Sequence, residues 1–298
     1  MIEFRPLHSR DEAKIASLFS SSLPHSDYVF TSLLAWDIAD SLRVGWSNDN
    51  LILLFSDYMC GENRTLFVGV NHPLESIRLV FSWQKKHGLQ TRIDLVPDFV
   101  IHTLRNFSCD FDVVDNPENA DYILSPSRLC ALKGSSLSRY RQRVHQAMRL
   151  TNARVSFGRI DIQSKVQVEE IESFYTTWLH AIPDRRQHAH RESVALHRLL
   201  TMRSEQCVAF GLRVQGKLAA YIIIESISPT VCIVHFEKST RDILGMSQLL
   251  LHRVSCQLYQ QGVRWINYEQ DLGLTGLRQS KKQLDPVTML RKYTLIQR

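Results

Sequence analysis

Between residues 207 and 268 the chain packs three β-rich runs, a long helix and a fourth strand into very little connecting sequence. The runs 207–213, 218–225 and 231–236 are separated only by the turns Gln215-Gly216 and Ser228-Pro229, so they read as a three-stranded meander. A helix follows over 244–261, with Met246, Leu249, Leu250, Val254 and Leu258 on one face and Gly262 closing it. Residues 264–268 form the next strand, and 288–296 the last. Upstream, 137–150, 167–179 and 192–202 read as helices; the second carries Ile171, Phe174, Tyr175, Trp178 and Leu179 at one-face spacing.

The first half alternates in a looser way. Residues 11–20 form a short helix, with Ala13, Ile15, Ala16, Leu18 and Phe19 as its apolar positions. Strands are expected at 51–55, 65–70 and 93–96. A helix opens at Pro73 and is closed by Gly88, and Pro97-Asp98 starts another. Residues 112–119 are turn-rich and acidic, and a strand resumes at Tyr122. Composition switches there from acidic to basic, which places a domain junction between about 112 and 130. A chain of 298 residues, 44% hydrophobic, can fill two cores. Helices, meander, helix and strand, in that order, resemble a GNAT-like acyltransferase domain. The expected fold is therefore α/β (α+β): two tandem GNAT-like domains, 1–120 and 121–298, each a mixed, mostly antiparallel sheet flanked by helices. The likeness between the halves lies in element order and not in residue identity.

Charge adds a partner class. The net charge is +6, but Tyr122 to Ile160 contains no acid and eight bases: Arg128, Lys133, Arg139, Arg141, Arg143, Arg149, Arg154 and Arg159. Residues 278–298 hold six bases against Asp285 alone, leaving −7 on everything else. A solvated helix face usually mixes signs. This segregation points to a polyanion or a phosphate-bearing ligand, with the arginine-rich helix at about 135–150 as its contact.

In GNAT-like domains that use acetyl-CoA, a glycine-rich turn before the long helix offers backbone N–H groups to the pyrophosphate. Here the turn is Thr240-Arg241-Asp242-Ile243-Leu244-Gly245, with one glycine and an anionic Asp242. Coulomb repulsion between Asp242 and a pyrophosphate disfavours a standard coenzyme A cradle.

The densest polar cluster is expected where the last strands end. His235, Glu237 and Lys238 close one strand, and Asn267, Tyr268, Glu269 and Asp271 close the next. Alternation puts Asn267 and Glu269 on one face and Tyr268 on the other. Glu237, Glu269 and Asp271 are expected to converge with Lys238, Arg278, Lys281 and Lys292 in a cleft. Carboxylates there can hold an ammonium or take a proton, and the bases can stabilise an oxyanion or a phosphate. The alternative is a set of ion pairs that closes the domain.

These residues resemble a known family. His235–Lys238, the block 266–281 (Ile-Asn-Tyr-Glu-Gln-Asp-Leu-Gly-Leu-Thr-Gly-Leu-Arg-Gln-Ser-Lys) and Lys292-Tyr293 are similar to the family related to the C-terminal domain of phosphatidylglycerol lysyltransferase. Asp121-Tyr122-Ile123, Leu132-Lys133-Gly134 with Arg141, and Ser26–Phe30 with Trp36 resemble it too. Tyr268 departs from a commonly basic position, and Lys282–Pro286 departs from the usual Leu-Ser-Tyr-x-Pro. The resemblance implies a tandem GNAT-like fold and an aminoacyl-tRNA donor whose amino acid passes to a hydroxyl or amine acceptor, in characterised relatives a lipid. It implies Glu269, Asp271, Arg278 and Lys281 as catalytic residues. His235, Glu237, Lys238, Asn267, Tyr268 and Lys292 would bind substrate, and Lys133, Arg139, Arg141, Arg143 and Arg149 would grip the tRNA. An acyl-CoA-dependent N-acyltransferase and a non-catalytic nucleic-acid-binding protein are the alternatives.

Other signals are weaker. His188, His190 and His197 lack metal-site spacing, and neither a metal nor a cofactor beyond the aminoacyl-tRNA co-substrate is expected. The six cysteines form no C-x-x-C pair and are expected to be reduced and packed. No window reaches the ~18 apolar residues of a membrane span, and the acidic start does not resemble a secretory signal. A cytoplasmic protein is expected, with peripheral contact at the inner membrane face if the acceptor is a lipid.

Overall fold

The computed structural model describes residues 2–57, 61–104, 110–151, 154–182 and 186–298, with backbone alone for 186–189. In chain order its strands and helices begin with β1 (Arg5–Pro6), α1 (Glu12–Ser17), α2 (Phe30–Trp36), β2 (Arg43–Ser47), β3 (Asn50–Ser56) and β4 (Asn63–Val68). Then come α3 (Pro73–Lys86), β5 (Arg92–Pro97), α4 (Asp98–Leu104), β6 (Phe111–Asp115), β7 (Asp121–Leu124), α5 (Pro126–Ala131) and α6 (Ser138–Leu150). The remainder is β8 (Val155–Ile160), α7 (Lys165–His180), α8 (Arg186–Met202), β9 (Cys207–Val214), β10 (Lys217–Ser228) and β11 (Val231–Ser239), followed by α9 (Met246–Gln260), β12 (Trp265–Asn267), α10 (Thr275–Lys282), β13 (Thr288–Leu290) and β14 (Lys292–Gln297).

The chain divides into two compact units, Met1–Asp121 with Leu290–Arg298, and Tyr122–Met289. The sheet of the first runs β1-β2-β3-β4-β5-β14-β6; that of the second, read from its far edge, runs β8-β9-β10-β11-β12-β7-β13. In each, four strands pair antiparallel, and the fourth pairs parallel with the fifth. A parallel neighbour requires a crossover, and α3 and α9 supply it. The sixth place in each sheet goes to a strand taken out of sequence, β14 in one and β7 in the other. The repeat expected from element order is thus present as topology.

The final strand differs from expectation. Residues 288–296 read as one strand of the second domain, but Thr288–Leu290 and Lys292–Gln297 go to different sheets, and β14 pairs with β5 and β6. An apolar alternation marks a strand without marking its partner. Each sheet has its own core. Val44, Leu51–Leu53, Phe67 and Ile93 pack with Ile77 and Phe81 of α3 in the first. Tyr140, Val144, Ile222, Ile224, Val234 and Ile266 pack with Leu249, Leu250 and Val254 of α9 in the second.

Expectation also fails for one cysteine pair. Cys130 of α5 and Cys256 of α9 form a disulfide with Cα atoms 4.6 Å apart and a sequence separation of 126. Helix packing creates that proximity, so spacing in the sequence carries no sign of it. Cys207 and Cys232 are buried thiols; Cys60 and Cys109 lie outside the described residues. Among the described residues no helix is long and apolar enough to cross a membrane.

Candidate active site

A bulge in β11 sets the geometry. Ile223 pairs with Phe236 and Ile224 with Val234, which leaves His235 as the extra residue. Its Nε2 lies 2.7 Å from Oε2 of Glu225, and both side chains are almost fully buried. The other ring nitrogen, Nδ1, faces Oε1 of Glu269 at 3.9 Å. Glu269 begins the loop after β12 in a left-handed conformation, φ +54°, and donates its backbone N–H to Oδ1 of buried Asn267 at 2.8 Å. Glu225, His235 and Glu269 thus run from the interior of the sheet to a carboxylate that is 23% exposed.

Lys238 continues this face. Its ammonium meets Glu192 of α8 at 2.6 Å and sits 4.8 Å from the ring centre of Trp178. Tyr175 of α7 donates to the other oxygen of Glu192 at 3.0 Å. An ammonium over an indole with a carboxylate partner is strongly held.

Glu237 points the other way. It accepts from Tyr268 Oη at 2.5 Å and from Ser247 Oγ at the start of α9. Burial raises its carboxyl above the usual range, and these hydrogen bonds offset that only in part. Tyr140 of α6 donates to the Gln248 carbonyl at 2.9 Å, fixing α6 against the same end of α9. Gly245 caps α9 with φ +92°, and a Cβ there would lie 2.1 Å from the Arg143 carbonyl oxygen. The backbone of α6 therefore closes on the turn before α9.

The loop from 269 to 273 is tied from below. Asp271, 1% exposed, receives Tyr122 Oη at 2.7 Å, Arg278 Nε at 2.9 Å, Arg278 Nη2 at 3.0 Å and the Gly273 N–H at 2.9 Å. Burial works against its charge, but the hydrogen bonds from Arg278, Tyr122 and Gly273 outweigh it and hold the carboxyl below its usual range. Lys281 donates to the carbonyls of Tyr268 and Gln270, and its ammonium lies 5.0 Å from the Tyr268 ring centre.

The expected cluster is therefore divided. Glu269, His235, Asn267 and Lys238 share the α7–α8 side of the sheet, while Glu237 and Tyr268 occupy the α6–α9 side; Asp271, Arg278 and Lys281 secure the loop. Lys292 is in the first unit, fully buried, and bonded to Asp27, to Asp121 at 2.6 Å and to Ser26 at 3.3 Å. Its strand pairs away from the second sheet, which is why proximity in sequence to Lys281 misleads. Of the expected tRNA-binding residues, Lys133, Arg139 and Arg149 are exposed. Arg141 instead caps the end of α5, donating to the carbonyls of Leu132 at 2.7 Å and Gly134 at 3.3 Å, and Arg143 meets Gln146 at 3.0 Å.

Sequence reasoning passed over Glu225, Glu192, Tyr122 and Ser247. Glu225 had a signal: a carboxylate ending the apolar run 219–224, in a strand with neighbours on both sides. The other three are brought in by helices and by the out-of-order strand β7. Metal-ligating types also gather here: Cys207, Glu225 and His235 place one ligand atom each within 4.8 Å of one another. Of the other histidines considered, His197 meets Glu172 at 2.6 Å on the surface, and the side chain of His188 lies outside the described residues.

Residues 82–296 match the family "Phosphatidylglycerol lysyltransferase, C-terminal". The chain belongs to this family. Solved structures agree on the fold. A conserved protein of unknown function from Bacteroides thetaiotaomicron superposes with a TM-score of 0.86 at 22% identity, with 100% of both chains covered. L-PGS from Bacillus licheniformis gives 0.63 at 12% identity, covering 96% of this chain and 92% of its own. A tandem GNAT protein from the clavulanic acid biosynthesis pathway gives 0.50 at 11%, covering 99% and 98%. No curated protein sequence matches at a significant level. The fold is a tandem of GNAT-like units, and the family matched is that of a lysyltransferase C-terminal domain.

Proposed function

We propose that the protein is an aminoacyltransferase that takes its amino acid from an aminoacyl-tRNA and delivers it to a hydroxyl or amine acceptor, with a lipid as the acceptor class favoured by the family. The observation that carries the choice of donor is the closed turn before α9. In a coenzyme A-dependent GNAT domain, free N–H groups at this helix start receive a pyrophosphate. Here the Arg143 carbonyl abuts Gly245, and the buried Glu237 carboxylate meets Ser247 in the first turn. An oxygen-lined, anionic surround repels a pyrophosphate. The exposed bases Lys133, Arg139 and Arg149, on a segment without acid, suit a phosphate backbone instead.

In this reading the acceptor's oxygen or nitrogen attacks the ester carbonyl that joins the amino acid to the terminal ribose. Glu269 takes the proton lost by the nucleophile or holds the α-ammonium of the donor. His235, fixed by Glu225, orients Glu269. Arg278, half-exposed and anchored by Asp271, faces the tetrahedral oxyanion or a terminal phosphate, and the ribose hydroxyl leaves with a proton. Asp271 and Lys281 act as positioning residues.

Incubation with a mixture of radiolabelled aminoacyl-tRNAs and a total lipid extract tests the acceptor class. Label moving to the organic phase supports a lipid; label moving only to soluble products supports a peptide or small molecule. Turnover of acetyl-CoA with no loss of label from tRNA would overturn the donor assignment.

A further inference from the structure

We infer that Cys207, Glu225 and His235 form a zinc site in the interior of the second unit. Three neighbouring strands deliver one ligand each. Cys207 of β9 is the register partner of Glu225 of β10, so their side chains leave the sheet on the same face. The bulge in β11 then brings the imidazole of His235 onto Glu225. All three residues are at least 95% buried.

The donor set fits the metal. Thiolate, imidazole and carboxylate together select a borderline-soft divalent ion, and zinc takes all three in tetrahedral sites. Bond lengths of ~2.0–2.3 Å place ligand atoms roughly 3.3–3.6 Å apart around a tetrahedral zinc. The three atoms already lie within 4.8 Å of one another, with the histidine and glutamate at 2.7 Å.

Charge and second-sphere contacts agree. A divalent ion with one thiolate and one carboxylate is neutral overall, which suits a buried position. The ring nitrogen of His235 that would not face the metal is the one turned to Glu269 at 3.9 Å. Metal-bound histidines characteristically donate this second N–H to a carboxylate, which fixes the tautomer and the ring. The ion would thus tie three strands together and set the direction from which Glu269 is held.

Metal analysis of the protein purified without chelator, and again after incubation with zinc and desalting, gives the direct test. The expectation is about one zinc per chain. Cobalt added to the chelator-treated protein should give the near-ultraviolet thiolate-to-cobalt band and the visible bands of a tetrahedral ion. Cys207→Ser should abolish the former, and Cys232→Ser, at the other buried thiol, should leave it intact. Zinc below roughly a tenth of an equivalent per chain after loading would overturn the assignment, and that measurement needs no variant to fold. A cobalt spectrum unchanged in Cys207→Ser, with folding verified by circular dichroism, would overturn it as well.

Discussion

A Cβ built on Gly245 would lie 2.1 Å from the carbonyl oxygen of Arg143. Two helices meet there with no room for a side chain, and the glycine also holds φ at +92°. Gly245→Ala is therefore expected to cost about 2–4 kcal/mol, from backbone strain and from overpacking against an atom that cannot rotate away. Gly262 has φ +86° and open space around it, so Gly262→Ala isolates the strain alone and should cost about 1 kcal/mol. Urea midpoints of the two variants measure the difference. Equal losses would mean that α6 does not close on the turn.

Lys292 holds two carboxylates in the interior of the first unit. Lys292→Met leaves Asp27 and Asp121 buried without their cation and should destabilise the protein by about 3–5 kcal/mol. Adding Asp121→Asn should recover part of the loss. A variant of normal stability and impaired transfer would instead place Lys292 in the chemistry.

Acid should loosen the loop that carries Glu269. Hydrogen bonds lower the folded pKa of Asp271 below the ordinary 3.8, so the stability it contributes is complete above that value and disappears as the pH falls from there through the folded value. Asp271→Asn should therefore lower the thermal midpoint at pH 7 and flatten its dependence on pH below about 4. Melting curves from pH 7 down to pH 2.5 check the sign. Parallel curves for the two proteins would contradict the Arg278–Asp271–Tyr122 arrangement.

The two expected phosphate contacts at exposed positions on α6 can be separated from the structural one. Arg139→Ala with Arg149→Ala should weaken tRNA binding and reduce the slope of log affinity against log salt by about 1–2. Arg141→Ala should leave that slope unchanged and lower stability, because its guanidinium serves the carbonyls of Leu132 and Gly134. Filter binding across a salt series distinguishes them.

What could be read in the sequence followed local chemistry. The meander at 207–236 and the helix ending at Gly262 are set by turns and apolar spacing over short range, and they stand in the structure as β9, β10, β11 and α9. The strand Phe111–Asp115 is hidden because four of its five residues are exposed and two are acidic, so it resembles a turn. Long-range partners were not legible. Nothing in the order of residues says that Lys292 returns to Asp27 and Asp121, or that Tyr122 arrives beneath Asp271. Several segments that carry the family resemblance hold such contacts: Ser26, Asp121 and Lys292 meet in one buried network, and Arg141 bonds the carbonyl of Leu132. For the site, alternation separated Tyr268 from Glu269 correctly. Ordinary alternation turns Glu237 away from Lys238, and the bulge at His235 turns it away from His235 as well.

The choice of donor is tested most directly by single-turnover transfer. The protein in excess is mixed with a pool of labelled aminoacyl-tRNAs and acceptor extract, and loss of label from tRNA is followed beside calorimetric titration with acetyl-CoA. Release of amino acid from at least one charged tRNA is expected, at least tenfold slower in Glu269→Gln, with no heat from acetyl-CoA. Micromolar binding of acetyl-CoA together with unchanged aminoacyl-tRNA would contradict it.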